Sequence, residues 1–150
     1  MENRINVFEI APKAIGTLYG ISNYLKRATI ERQLLELVDF RVSQINGCAY
    51  CLDMHSKELR NMGETEQRIY GLSAWRDAPY YSEREKAALE WAEAVTRAKV
   101  KDEIYELAKT EFSDGELVDL TLAITAINTW NRINLAFPQT PGTYKVGQFG

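Results

Sequence analysis

Cys48 and Cys51 are the only cysteines in the 150-residue chain, and His55 is its only histidine. A cysteine pair three positions apart closes almost no loop, so as a structural staple it would contribute little. Such spacing points instead to redox chemistry or to metal binding. Positions 48, 51, 52, 55, 59 and 62 follow the three-and-four spacing of one helix face. That face carries Cys48, Cys51, Leu52, His55, Leu59 and Met62. Asn46-Gly47 just upstream is a helix breaker, so both cysteines are expected in the first turn of a new helix. Free N–H groups and the helix dipole there favour a thiolate, the nucleophilic form, over a thiol.

The preceding segment supplies the surface that must face this helix. Thr29 is expected to cap it, and Leu34, Leu35, Val38, Val42 and Ile45 form one apolar stripe. Glu36 stands on a second row with Phe40 and Ser43 that leads down to Gly47. Folding the two helices back on each other at 1.5 Å per residue puts His55 roughly 10 Å, and Glu36 roughly 15 Å, from the turn, near enough for the side chains to meet. A glutamate on such a doubly buried helix needs a partner. In this arrangement Glu36 orients His55 and raises its basicity, and His55 accepts the Cys51 proton. Cys51 attacks a peroxide oxygen, and Cys48 resolves the sulfenic acid as a disulfide.

Competing readings are weaker. An inward histidine is more often a satisfied core residue, and a single glutamate is more often a solvated charge; it is their convergence with the cysteines on one hairpin that favours chemistry. Zinc would need a four-ligand set, and no third cysteine or second histidine exists. A c-type haem site needs histidine directly after the second cysteine, where Leu52 stands. A redox sensor, or a partial metal site within a structural oligomer, remains the non-enzymatic alternative.

The rest of the chain reads as helices, with no segment of strand periodicity. Pro12 suits the first turn of a helix running to about Arg27. Beyond Gly63 a short helix over Thr65–Leu72 is expected, then a loop through Trp75 and Pro79. Ser82 with Glu85, and Ser113 with Glu116, have the form of capping boxes opening two further helices. Between them Asp102 is expected to cap a short helix through Lys109, and Pro138 stops the last helix before an extended tail. The expected architecture is all-α, one helical bundle over residues 1–150.

Composition narrows the partners. Hydrophobic content of 45% and charged content of 26% are those of a globular domain. A net charge of −3 with dispersed Lys and Arg argues against nucleic acid. No apolar run reaches the roughly 20 residues a membrane span requires. The opening Met1-Glu2-Asn3-Arg4-Ile5 has no signal-peptide character, so the protein is expected in the cytoplasm.

The stretch from Glu36 through Cys48-Ala49-Tyr50-Cys51 to His55 resembles the alkylhydroperoxidase D-like branch of the carboxymuconolactone decarboxylase family. The signature is a glutamate twelve residues before the first cysteine, the Cys-x-x-Cys pair and a histidine four further on. The likeness extends through Gly63–Glu66, Trp75–Pro79 and Trp130–Arg132. The resemblance implies an all-helical fold, a homo-oligomer (dimer, trimer or hexamer), and a peroxidase acting on a small hydroperoxide. It implies a peroxidatic Cys51, a resolving Cys48 and a proton relay through Glu36 and His55. It also implies no bound flavin, haem or metal, with electrons from a dithiol donor such as a lipoylated or thioredoxin-like protein. One position departs: the family's well-studied peroxidase has a histidine just before the peroxidatic cysteine, and here Tyr50 stands there, a poor base near neutral pH. A general thiol-disulfide oxidoreductase ranks next, and a decarboxylase-type lyase, which works without the cysteine pair, ranks lower.

The last helix carries a polar anomaly, because Asn128 and Asn131 share a face with Leu117, Thr121, Ile124 and Leu135. A buried hydrogen-bond network or subunit contact is the favoured explanation over contact with substrate. Trp130 and Arg132 are expected to line a pocket or an interface, and Trp75, Tyr80, Tyr81 and Trp91 to pack in the core or an interface.

Overall fold

Local signals set most of the helix ends in the computed structural model, which describes residues 4–149. The reading of residues 1–3 lies outside the described residues. Among these there is no strand, and the elements are α1 (Val7–Ile10), α2 (Pro12–Leu25), α3 (Arg32–Asn46), α4 (Ala49–Asn61), α5 (Glu66–Gly71) with a 3₁₀ turn at Leu72–Ala74, α6 (Glu83–Thr96), α7 (Asp102–Glu111) and α8 (Asp114–Ala136). Both capping boxes form, with Ser82 and Ser113 accepting from the N–H of Glu85 and Glu116 while each glutamate reaches back. Pro12 opens α2 as expected.

Two caps differ from expectation. Glu31, not Thr29, precedes α3, and its carboxylate is drawn away from the helix end by Arg84 at 2.9 Å. Asp102 is the first residue of α7 rather than its cap, a position where its charge still complements the helix dipole. The four-residue α1 was too short for periodicity to reveal; Asn6 caps it by accepting from the Phe8 N–H at 3.1 Å.

α3 is the central element, packed against α4, α6 and α8. Its Val38 and Val42 enter one core with Ala88, Ala92, Leu120 and Ile124. On its other side Leu37 and Phe40 enter a second core with Leu59, Leu72, Trp75 and Leu89. Burial on two faces explains how the Glu36 row comes to lie inside the molecule.

The tail is not simply extended. Tyr144 is buried and its hydroxyl donates to the Glu58 carboxylate, which also accepts the Gly147 N–H at 2.9 Å. Lys57 donates to the carbonyls of Gly142 and Tyr144 at 3.3 and 3.0 Å. A buried glutamate on α4 needs such partners, and the returning chain provides them. No described helix is long and apolar enough to cross a membrane.

Candidate active site

The α3–α4 connection is as short as a helical hairpin allows. Gly47 adopts φ 69°, and the Cys48 N–H returns to the Ser43 carbonyl at 3.2 Å. Cys48 is therefore the N-cap of α4 rather than a residue of its first turn, and its sulfur accepts from the Cys51 N–H at 3.3 Å. The two cysteines are joined as a disulfide, and each is only 2% exposed. Their environments differ: Cys51 borders a cavity of about 620 Å³, and Cys48 does not.

His55 and Glu36 meet as the hairpin geometry predicts, with Nδ1 and Oε1 2.5 Å apart. Burial pulls the imidazole toward its neutral form, but Glu36, reinforced by Asp39 and Glu58, outweighs it and holds the His55 pKa above its usual value. Both partners line the cavity beside Cys51.

Asp39, one turn beyond Glu36, carries no motif or spacing signal in the sequence. It lines the same cavity, and its carboxylate lies within 4.8 Å of ligand-type atoms of both Glu36 and His55. Burial pushes it up to about 7, with His55 opposing and Glu36 adding to the rise. Near neutral pH, Asp39 can thus hold or release a proton. These three residues are also the set best able to offer a cation ligands among the described residues, although the Glu36–His55 hydrogen bond already engages two of them.

Asn134 is a second residue that the sequence did not reveal. It is buried on α8, borders the cavity and donates to the Cys51 sulfur at 3.7 Å. The only prior signal was its place one turn beyond Trp130, which also lines the cavity. Tyr50 lines it too; burial, then Asp53 and Tyr19, raise its pKa, so it is available as a hydrogen-bond donor and not as a base.

Asn128 and Asn131 form the buried hydrogen-bond network expected of two asparagines among apolar neighbours. Asn46 donates to both at 2.9 and 3.0 Å, Asn131 donates to Ser43 Oγ at 3.0 Å, and Asn128 donates to Thr96 at 3.0 Å. This network ties the α3–α4 turn to α8 and so fixes where the cysteines sit. Neither asparagine borders the cavity, and Leu135, expected on their face, is 45% exposed. Arg132 folds back onto Asn128 and is not part of the cavity wall. Trp75, Tyr81 and Trp91 are core residues.

The sequence model of the carboxymuconolactone decarboxylase family matches residues 12–94. The uncharacterized protein YdfG of Bacillus subtilis is 45% identical over 139 residues, covering 91% of this chain and 95% of that one. Alkyl hydroperoxide reductase AhpD of Mycobacteroides abscessus is 38% identical over 47 residues, 31% of this chain and 27% of that one. A crystal structure of a protein of unknown function from Agrobacterium tumefaciens, provisionally assigned to antioxidant defence as AhpD, matches with a TM-score of 0.90 and 41% identity. That match covers 95% of this chain and all of the other.

Proposed function

This chain belongs to the carboxymuconolactone decarboxylase family, and from that premise we propose that it is a thiol peroxidase that reduces alkyl hydroperoxides, with Cys51 attacking and Cys48 resolving. The observation that carries the reading is the asymmetry of the pair. Only Cys51 opens on the cavity, where the His55–Glu36 dyad and Asn134 also converge.

In the reduced protein His55 takes the Cys51 proton, and the Asn134 amide together with the start of α4 stabilises the thiolate. The thiolate attacks the terminal peroxide oxygen. An S–O bond forms, the O–O bond breaks, and the departing alkoxide takes the proton back from His55 to leave as alcohol. The Cys48 thiol then attacks the sulfenic sulfur; the S–S bond forms, the S–O bond breaks, and water leaves with the Cys48 proton. A dithiol donor returns two electrons and two protons. Because each cysteine is 2% exposed, the donor must reach Cys51 through the cavity. That favours a slender lipoyl arm over the broad face of a thioredoxin-like protein. Tyr50 replaces a base with a donor, which leaves Asp39 as the additional group able to exchange protons near neutrality.

The protein is further proposed to self-associate through α7 and α8. Val118, Leu107 and Tyr105 are 67%, 46% and 43% exposed there, and Val118 and Tyr105 flank an apolar groove.

Steady-state turnover of several peroxides with dihydrolipoamide as donor tests the reading. Cys51→Ser is expected to reduce turnover to background. Turnover at the wild-type rate in that variant would refute it.

A further inference from the structure

The cavity that reaches Cys51 is much larger than a peroxide group requires. At about 30 Å³ for each water-sized group, hydrogen peroxide would leave roughly nine-tenths of the space empty. The remaining wall is largely apolar, built by Leu25, Ile30, Leu35, Met54, Ile127 and Trp130. Two cations, Lys26 and Arg32, also border it; both are exposed, and neither forms an ion pair or side-chain hydrogen bond with another described residue.

Charge is sorted along this cavity. Arg32, Glu36 and Asp39 border it from successive turns of α3, so Arg32 stands about 10 Å from Asp39 along the helix axis. α4 turns back from Gly47, which sets Cys51 level with the segment between Asp39 and Ser43, roughly 15 Å from Arg32. The carboxylates therefore stand nearer the sulfur and Arg32 nearer the far rim. Lys26 lies toward that rim too, because Tyr19 of α2 packs on Trp130 and the Tyr24 hydroxyl donates to Asp119 at 2.7 Å, so the end of α2 lies away from Asn134 and Cys51. A bound anionic group is attracted to the far rim, whereas at the sulfur end the only cation among the described lining residues, His55, is already engaged by Glu36.

Building on the peroxidase reading, we propose that the preferred substrate is the hydroperoxide of a long-chain carboxylic acid. Its chain lies along the apolar wall, its carboxylate meets Lys26 and Arg32, and its hydroperoxide reaches Cys51. Cys51 takes the terminal oxygen as the O–O bond breaks, and the hydroxy acid leaves after its alkoxide is protonated by His55.

The test compares kcat/KM for linoleic acid hydroperoxide, its methyl ester and tert-butyl hydroperoxide, all below the micelle concentration. The acid is expected to exceed the ester about fivefold, the scale of one partly exposed ion pair. Both should exceed the small peroxide. The combined substitution Lys26→Glu, Arg32→Glu is expected to erase or invert the acid-over-ester preference, mainly through KM. Equal rates for acid and ester, or a preference that survives the double substitution, would overturn the assignment and leave the peroxidase reading standing. If no peroxide is turned over, that reading fails by itself. The cavity assignment is then judged by tryptophan fluorescence on titrating the hydroxy acid and its ester into the disulfide form. Tighter binding of the acid, lost in the double variant, supports it, and absence of binding overturns it.

Discussion

Two carboxylates on opposite sides of α3, Glu93 buried and Asp39 half-buried, hold their charge in opposite ways. On one side Glu93 of α6, 2% exposed, accepts from Trp75 and from three guanidinium groups, those of Arg41, Arg76 and Arg97, at 2.9 to 3.0 Å. Burial opposes the charge there, but the Trp75 and arginine hydrogen bonds outweigh it and hold Glu93 down to about 2. On the cavity side Asp39 has no such donors among the described residues, and burial leads, pushing it up to about 7. The same chemical group is a fixed anion in one place and a titrating acid in the other. Full pairing makes a strut, and incomplete pairing beside an open cavity makes a group that can move protons.

The strut is the place where substitution should do most to the fold. Glu93→Ala leaves Arg41 and the Trp75 N–H without their acceptor and is expected to lower unfolding stability by about 3 kcal/mol. Denaturant unfolding measures this, and peroxide turnover of the folded fraction should remain close to wild type. Its pH signature has a defined sign. Because the folded pKa is depressed, the Glu93 contribution is complete above its ordinary value near 4.5 and is lost as pH falls toward about 2.

On the cavity side, Glu36→Gln should slow turnover about a hundredfold while leaving stability nearly unchanged. Without the Glu36 charge, burial dominates at His55, so the limb of the pH–rate profile that reports the imidazole is expected to move to lower pH. An unmoved limb would separate His55 from the rate.

Asp39→Asn should have the smallest effect, and the opposite sign of pH dependence from Glu93. The raised folded pKa means that Asp39 supports the fold while protonated, below its ordinary value near 3.8, and that this support fades as pH rises through about 7. Relative to wild type, the variant is expected to gain stability as pH rises through that window, reaching on the order of 1 kcal/mol by pH 8 once partial exposure is allowed for. Thermal melts across pH read it directly.

The contrast also marks what could be read from sequence. The α3–α4 hairpin was legible because Asn46-Gly47, the cysteine pair and the helix rise together fix a register, and register alone brings Glu36 to His55. Ser82 and Ser113 were legible for the same local reason. Glu93 and Asp39 were not, because their states depend on which groups approach from other helices. Arg41, Trp75, Arg76 and Arg97 come to Glu93 from several segments, and nothing in the run Trp91–Val95 announces them. Asn134 was hidden behind Asn128 and Asn131, whose asparagines drew the same suspicion but serve the turn. The tail read as extended because the attraction of Tyr144 to Glu58 spans 86 residues of chain.

The unequal roles proposed for Cys51 and Cys48 are best tested by single-turnover reaction of the reduced protein with one equivalent of hydroperoxide, with dimedone present to trap sulfenic acid. Cys48→Ser is expected to consume peroxide at close to the wild-type rate and to carry the trapped adduct on Cys51, while Cys51→Ser consumes none. An adduct on Cys48, or peroxide consumption by Cys51→Ser, would contradict the account.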